Sequence, residues 1–366
     1  MPHWVAWPCP RLAKSMGTTP CNALAQPGRL NKSGIQETND MRAFKKKASA
    51  LAMGVGLALT GLGAFGQTAY PCPLVKIISP YPPGGTTDIL SRLLAPGLAK
   101  ELGTTVIVEN KGGASSNIGT EFVANAASDG CTILLGNNTG IVINRNLYKL
   151  RIDPVKNLAA VGEVASVPLV LYVNTSVPAT SVNQLLELIK NNPGKYSYAS
   201  GGSGSPQHLM GELLKLEKQL DIAHIPYRGQ GPALADVLSG QVPLAFETTT
   251  AIAAQLNSGR IRALATTGAV RSKGMPDVPT MKELGYPSFV IENWYGVFVP
   301  SKTPSHLIKR LNQAVNKVLK SADVAASLSK LGSSDVTGTA EQFTQFIAKE
   351  LPYWESLVKR SGATVD

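Results

Sequence analysis

The sequence is short of the groups that usually carry chemistry. Its 366 residues include four histidines and four cysteines, and no stretch matches GxSxG, HExxH, CxxC or the phosphate-binding pattern GxxxxGKS/T. The nearest approach to a nucleophile elbow, Gly201 to Ser205, ends in serine. The stretch YPPGGTTD after the first expected strand lacks the GxGxxG fingerprint of a dinucleotide site. His208 and His224 have no Asp, Glu or Cys neighbour at a metal-ligand spacing, so both read as helix-facing or core imidazoles. Charge is scarce too: 16% charged against 43% apolar residues, with 25 prolines, is a globular composition rather than a disordered, collagen-like or disulfide-dense one. Beyond residue 66 no run approaches the roughly 18 apolar residues that a membrane helix needs.

What is present begins with an export signal. Arg42, Lys45, Lys46 and Lys47 precede an uncharged run from Ala48 to Phe65, and Ala64 and Gly66 supply the small residues of a cleavage site. The alternative, an uncleaved anchor, is weakened by Gly54, Gly56, Gly61 and Gly63 within the run. Residues 1–40 have no amphipathic period and read as translation from a start placed upstream of Met41. Residues 1–66 hold eight Lys/Arg and two Asp/Glu, so their removal lowers the net charge from +11 to +5 and leaves little case for nucleic acid. Two cysteines remain, Cys72 before VKIIS and Cys131 before TILLG. In an exported chain they are either bridged, if those runs are neighbouring parallel strands, or two half-buried thiols.

From Leu74 onward short β-branched runs alternate with helical stretches. The pattern predicts strands at 74–80, 105–109 and 132–135 with helices at 87–102 and 118–127, then a strand at 169–173. A second series of similar units runs to 266, and a returning strand at 294–299 leads into helices at 304–319 and 340–361. A length above the ~250–300 residues that one core organises favours two lobes. The expected architecture is α/β, each lobe a mainly parallel sheet flanked by helices, with 67–172 plus 292–366 as one lobe and 173–291 as the other. Ligands of open α/β sheets lie beyond the C-terminal ends of strands, so the loops there are the candidate site.

Two such loops are rich in small residues. Tyr81 to Asp88 contains Pro83, Gly84, Gly85 and Thr86 and opens a helix whose free amides suit a carboxylate. Asp88 fits either a ligand contact or simple stabilisation of that helix end. Ser200 to Ser205, with Gly202, Ser203 and Gly204, forms a second amide- and hydroxyl-rich cradle just before His208. Asn137, Asn138 and Thr139, then Tyr227, Arg228 and Gly229, then Glu247, Thr248 and Thr249 follow other strands. Arg228 fits a bidentate carboxylate contact or a free surface position. Loops rich in amides but poor in His, Cys and paired carboxylates favour holding a ligand over transforming it.

The stretches YPCPLVKIISPYPPGGTTDILSRLLA, VIVENKGGASSNIGTEFVANAASDG, YASGGSGSPQHLMGELL, HIPYRGQGPALADVLSGQVPLAFE and DVPTMKELGYP resemble the periplasmic solute receptors of the tripartite tricarboxylate transporter family, the Bug receptors. The resemblance covers nearly all of the chain beyond the leader. It implies a type II-like Venus-flytrap fold and a monomer that captures a small carboxylate and hands it to membrane transporter components. It implies no cofactor, no metal and no reaction. Carried onto this chain, the family's carboxylate-holding turns are Tyr81 to Asp88 and Ser200 to Ser205. Three positions depart from the family's usual residues: Tyr81 for Phe, Glu247 for Asp and Cys131 for Tyr. Two other readings share the fold: a sensory receptor for a carboxylate that signals to a membrane kinase, and an enzyme acting on an organic acid.

Overall fold

The computed structural model describes residues 70–333 and 336–365. The leader and signal segments expected within residues 1–66 lie outside these. Residues Gln67–Asp366 form one compact unit.

The first half is built from strand–loop–helix units. Strand β1 (Leu74–Ser79) leads to α1 (Thr86–Leu102), then β2 (Thr105–Asn110), α2 (Asn117–Ala124) and β3 (Thr132–Asn137). Strand β1 pairs in parallel with β2 on one side and β3 on the other. Helix α1 buries Leu90, Leu94 and Leu98 and stops at Gly103, whose left-handed φ of 68° caps the last turn. A short π-helical turn (Thr139–Ile143) follows β3 and is wholly buried. Because β1 and β3 run side by side, Cys72 and Cys131 meet at their N-terminal ends, where a disulfide joins them.

A short helix α3 (Pro154–Asn157) introduces β4 (Leu158–Asn174), 17 residues long. The sequence pattern places a strand only from Leu169, because the first half, LAAVGEVASVP, is rich in Ala, Gly and Ser and carries a weak strand signal. Burial supplies what propensity lacks, since most of β4 is enclosed on both faces. From Leu158 to Pro168 it pairs antiparallel with β9 (Glu292–Pro300), and from Leu169 onward with β7 (Leu244–Thr248) and β8 (Ile261–Thr266). One strand therefore serves both sheets, changing partners between Pro168 and Leu169.

The second half repeats the plan with α4 (Val182–Lys190), β5 (Tyr196–Ser200), α5 (Pro206–Lys218), β6 (Ile222–Pro226) and α6 (Gln230–Ser239). Strand β5 lies parallel to β6 and β7. Each lobe thus has a parallel centre, and antiparallel pairing enters through the crossing strands β4 and β9. A four-residue helix α7 (Thr249–Ile252) follows β7. After β9 come α8 (Ser305–Leu319), α9 (Ala322–Lys330), which has no counterpart in the sequence reading, and α10 (Ala340–Ser361). Helix α10 packs on β4 and also on α5, with Trp354 and Leu357 in the same buried cluster as Leu209 and Leu213. No helix among the described residues is long and apolar enough to cross a membrane.

Candidate functional site

The YPPGG loop leaves β1 at the C-terminal end of the sheet and is braced from behind. Asp88 accepts hydrogen bonds from the Gly84 amide (3.1 Å), Arg92 Nε (3.0 Å) and Asn110 Nδ2 (3.0 Å). Burial alone would raise this carboxyl, but the Arg92, Gly84 and Asn110 hydrogen bonds outweigh it and hold Asp88 below the usual carboxylate range. Asn110 Nδ2 also donates to the Tyr81 carbonyl, and Ser79 Oγ to Thr87 Oγ1. Gly84 takes a φ of +89°, which a side chain would disfavour. With Asp88 engaged on the loop's own frame, the groups left for the cleft are the Tyr81 ring and the Thr86 and Thr87 hydroxyls.

The second loop is braced by rings. Gly204 N donates to His208 Nδ1 (3.0 Å), Ser200 Oγ lies 2.7 Å from His224 Nε2, and the two imidazoles stack at 4.0 Å. A nitrogen that accepts an amide hydrogen carries no proton, so His208 Nδ1 is unprotonated here. Burial, with the neighbouring His208 and Lys215, pushes the His224 pKa down to about 3. Ser205 caps α5 by accepting from the His208 amide.

The loops meet across the cleft. Thr86 N donates to Gln230 Oε1 (2.8 Å), and the Thr86 and Thr248 hydroxyls lie 2.6 Å apart. The Ser203 carbonyl accepts from Ser115 Oγ (2.7 Å) and Tyr148 Oη (2.9 Å). To reach it, Ala114, Ser115 and Ser116 hold three consecutive left-handed backbones, with φ of 46°, 48° and 78°. Such strain is costly for residues with a Cβ and is retained where the surroundings enforce it. Gly202, at φ +131°, sits so close that a Cβ would come within 2.7 Å of Ser115 Oγ.

These contacts enclose a cavity of about 10 Å³, room for one water-sized group. Of the residues singled out in the sequence, Tyr81, Asn137, Thr139 and Ser205 line it. Thr139 Oγ1 is buried beside the Tyr81 hydroxyl. Pro83, Gly84, Gly85, Thr86 and Asp88 frame the first side; Ser200, Gly202, Ser203, Gly204 and His208 frame the second. Arg228 is exposed, and the Tyr227 hydroxyl donates to Asp236. Glu247 is buried at the end of β7, where it accepts from Gln207 Nε2 (3.0 Å) and the Thr248 amide (2.7 Å). Burial pushes its pKa up to about 7, against the opposing effect of those hydrogen bonds.

Thr87 and Gly201 line the cavity from within the two cradle turns and Gln207 from the end of the stretch Ala199 to His208, whereas Gln230 and Tyr295 escaped the sequence reading. Gln230 opens α6 after β6, so the strand–loop–helix rule that found the two cradles also applies to it. Tyr295 lies mid-strand in β9, and only the return of that strand beside β3 and β4 brings it here. A larger groove between α8 and α10 lies away from the loops and has mostly aliphatic walls.

Comparison with known proteins gives a consistent answer. A family model described as "Tripartite tricarboxylate transporter family receptor" matches residues 90–363. Protein BugT of Bordetella pertussis is 37% identical over 85% of this chain and 96% of its own length. Among solved structures, the periplasmic binding protein BugD is 34% identical with a TM-score of 0.77, covering 81% of this chain and 99% of that one. An R. palustris protein solved with adipate is 32% identical (TM-score 0.78; 81% and 99% covered). MatC from Rhodopseudomonas palustris, solved with malate, is 28% identical (TM-score 0.75; 79% and 100% covered).

Proposed function

Because the chain belongs to the tripartite tricarboxylate transporter receptor family, whose members are solute-binding proteins, we propose that it captures a small carboxylate in the cleft between its lobes and delivers it unchanged to membrane transporter components. The observation that carries this reading is the pair of facing loops. Tyr81 to Asp88 and Ser200 to Ser205 each end a parallel strand, each open a helix, and meet around one small polar cavity. The hydroxyl–imidazole pair of the second loop, Ser200 with His224, stands outside the cavity lining, and the depressed pKa of His224 makes it a poor base, which suits binding rather than turnover. That relatives have been solved with adipate and malate supports a carboxylate. The export signal of residues 41–66 puts the receptor in the periplasm.

A ligand touching both lobes stabilises the closed form by its differential affinity, and a transporter can read closure as occupancy. We propose the two lobes read from the sequence, with the first crossing moved from 172/173 to the change of partners in β4 between Pro168 and Leu169 and the second where β9 begins. Thermal unfolding of the purified protein against mono-, di- and tricarboxylates, amino acids and aromatic acids tests the reading. A binder at 100 times its Kd adds about 2.7 kcal/mol and is recovered intact. Consumption of the compound, or no shift with any acid, refutes it.

A further inference from the structure

Two uncharged amides stand on the cavity wall, and their neighbours fix which way each one points. Thr86 N–H is a donor, so the atom of Gln230 that meets it at 2.8 Å is the oxygen. That leaves the Gln230 amino group, beside the Tyr295 hydroxyl, as a donor at the cavity. Gln207 is set the opposite way. Its partner is Glu247 Oε1, which also accepts from the Thr248 amide at 2.7 Å, so Gln207 must offer its amino group to Glu247. Glu247 holds this orientation whether or not it carries a proton, because a proton would sit on its other oxygen. The group that Gln207 keeps for the cavity is its carbonyl oxygen. Gln207 is 1% exposed, and the hydrogen bond its side chain makes is the one its amino group gives to Glu247.

The wall therefore carries a donor at Gln230 and an acceptor at Gln207. A carboxylate oxygen suits Gln230 and is repelled by Gln207 Oε1, whereas a hydroxyl or ammonium group satisfies it. Resting on the receptor function above, we propose that the ligand is an acid bearing a hydroxyl or ammonium donor, and that Gln207, positioned by Glu247, selects it over the plain acid of the same skeleton. A buried acceptor left without a donor is the strongest means a binding site has of rejecting a close analogue.

Isothermal titration of the full protein with matched pairs tests this: malate and succinate, aspartate and succinate, citrate and tricarballylate, lactate and propionate, mandelate and phenylacetate. In the pair that fits the cavity, the donor-bearing acid binds at least about tenfold more tightly. Which of malate and aspartate wins separates hydroxyl from ammonium. Gln207→Met removes the acceptor at similar volume and brings the pair within about threefold while the plain acid keeps its Kd. If that variant does not fold, Glu247→Met serves instead: it removes the acceptor that fixes the Gln207 amino group, frees Gln207 to turn that group inward and lowers the same ratio. Equal affinities within every pair that binds, or a variant that weakens both members equally, overturns the selection by Gln207 and leaves the receptor reading standing. Failure of every acid to bind defeats the receptor reading and this inference with it.

Discussion

At the scale of single residues, side chains near the cleft divide into those that present groups to it and those that hold the presenters. Asp88 belongs to the second kind. Its carboxylate ties the Gly84 amide, Arg92 and Asn110 into one frame, and hydrogen bonds to a charged group are worth about 1.5–3 kcal/mol. Asp88→Asn keeps the shape but loses the charge and an acceptor oxygen. Chemical denaturation at pH 7 should show a loss of about 1–3 kcal/mol, and titration a weaker ligand affinity as the YPPGG loop loosens. The depressed pKa gives the sign with acid: this stabilisation is present above the ordinary carboxyl pKa and fades as pH falls through the folded value. Tyr295 shows the limit of reading residues from sequence. It lines the cavity from the middle of β9, so no local pattern distinguishes it from an ordinary strand position.

At the scale of elements, β4 carries the strongest consequence. Glu163 lies on it, and burial together with the nearby Glu292 and Glu350 carboxylates pushes its pKa up to about 8. The folded chain then holds a proton that the unfolded chain gives up near the ordinary carboxyl value. Its stabilising contribution is complete at low pH and is lost as pH rises toward 8. His224 shifts the other way, but only below its ordinary value near 6.5, so the window from pH 6.5 to 8 isolates the carboxyls. Thermal melts across that window should fall for the native chain and be flatter for Glu163→Gln. The disulfide acts on the other end of the same sheet. Cys72 and Cys131 close a loop with a sequence separation of 59, so reduction or Cys131→Ser should cost about 2–4 kcal/mol by freeing the unfolded chain. Urea midpoints with and without reductant measure it, and ligand affinity should stay unchanged because the bridge lies at the opposite end of β1 from the YPPGG loop.

At the scale of the whole molecule, closure rests on a few bonds between distant segments. The Ser203 carbonyl takes both Ser115 and Tyr148, and Thr86 takes both Gln230 and Thr248. Removing Ser115 and Tyr148 as donors, in the double variant Ser115→Ala with Tyr148→Phe, should shift the unliganded protein toward the open form. Small-angle scattering should then show a larger radius of gyration that ligand reverses, with affinity reduced several-fold because part of the binding energy goes to closing. An unchanged radius would show that these bonds do not set the equilibrium. What the sequence determined by itself was local: the alternation of strand and helix, and two loops of small residues at strand ends. These follow from backbone sterics and side-chain period, which act over a few residues. The tertiary structure alone decided that one 17-residue strand serves both sheets, that Thr86 meets Thr248 across 162 residues, and that Gln207 donates to Glu247. A buried polar group takes whichever partner the packed chain brings within reach, and nothing in its own neighbourhood of sequence specifies that partner.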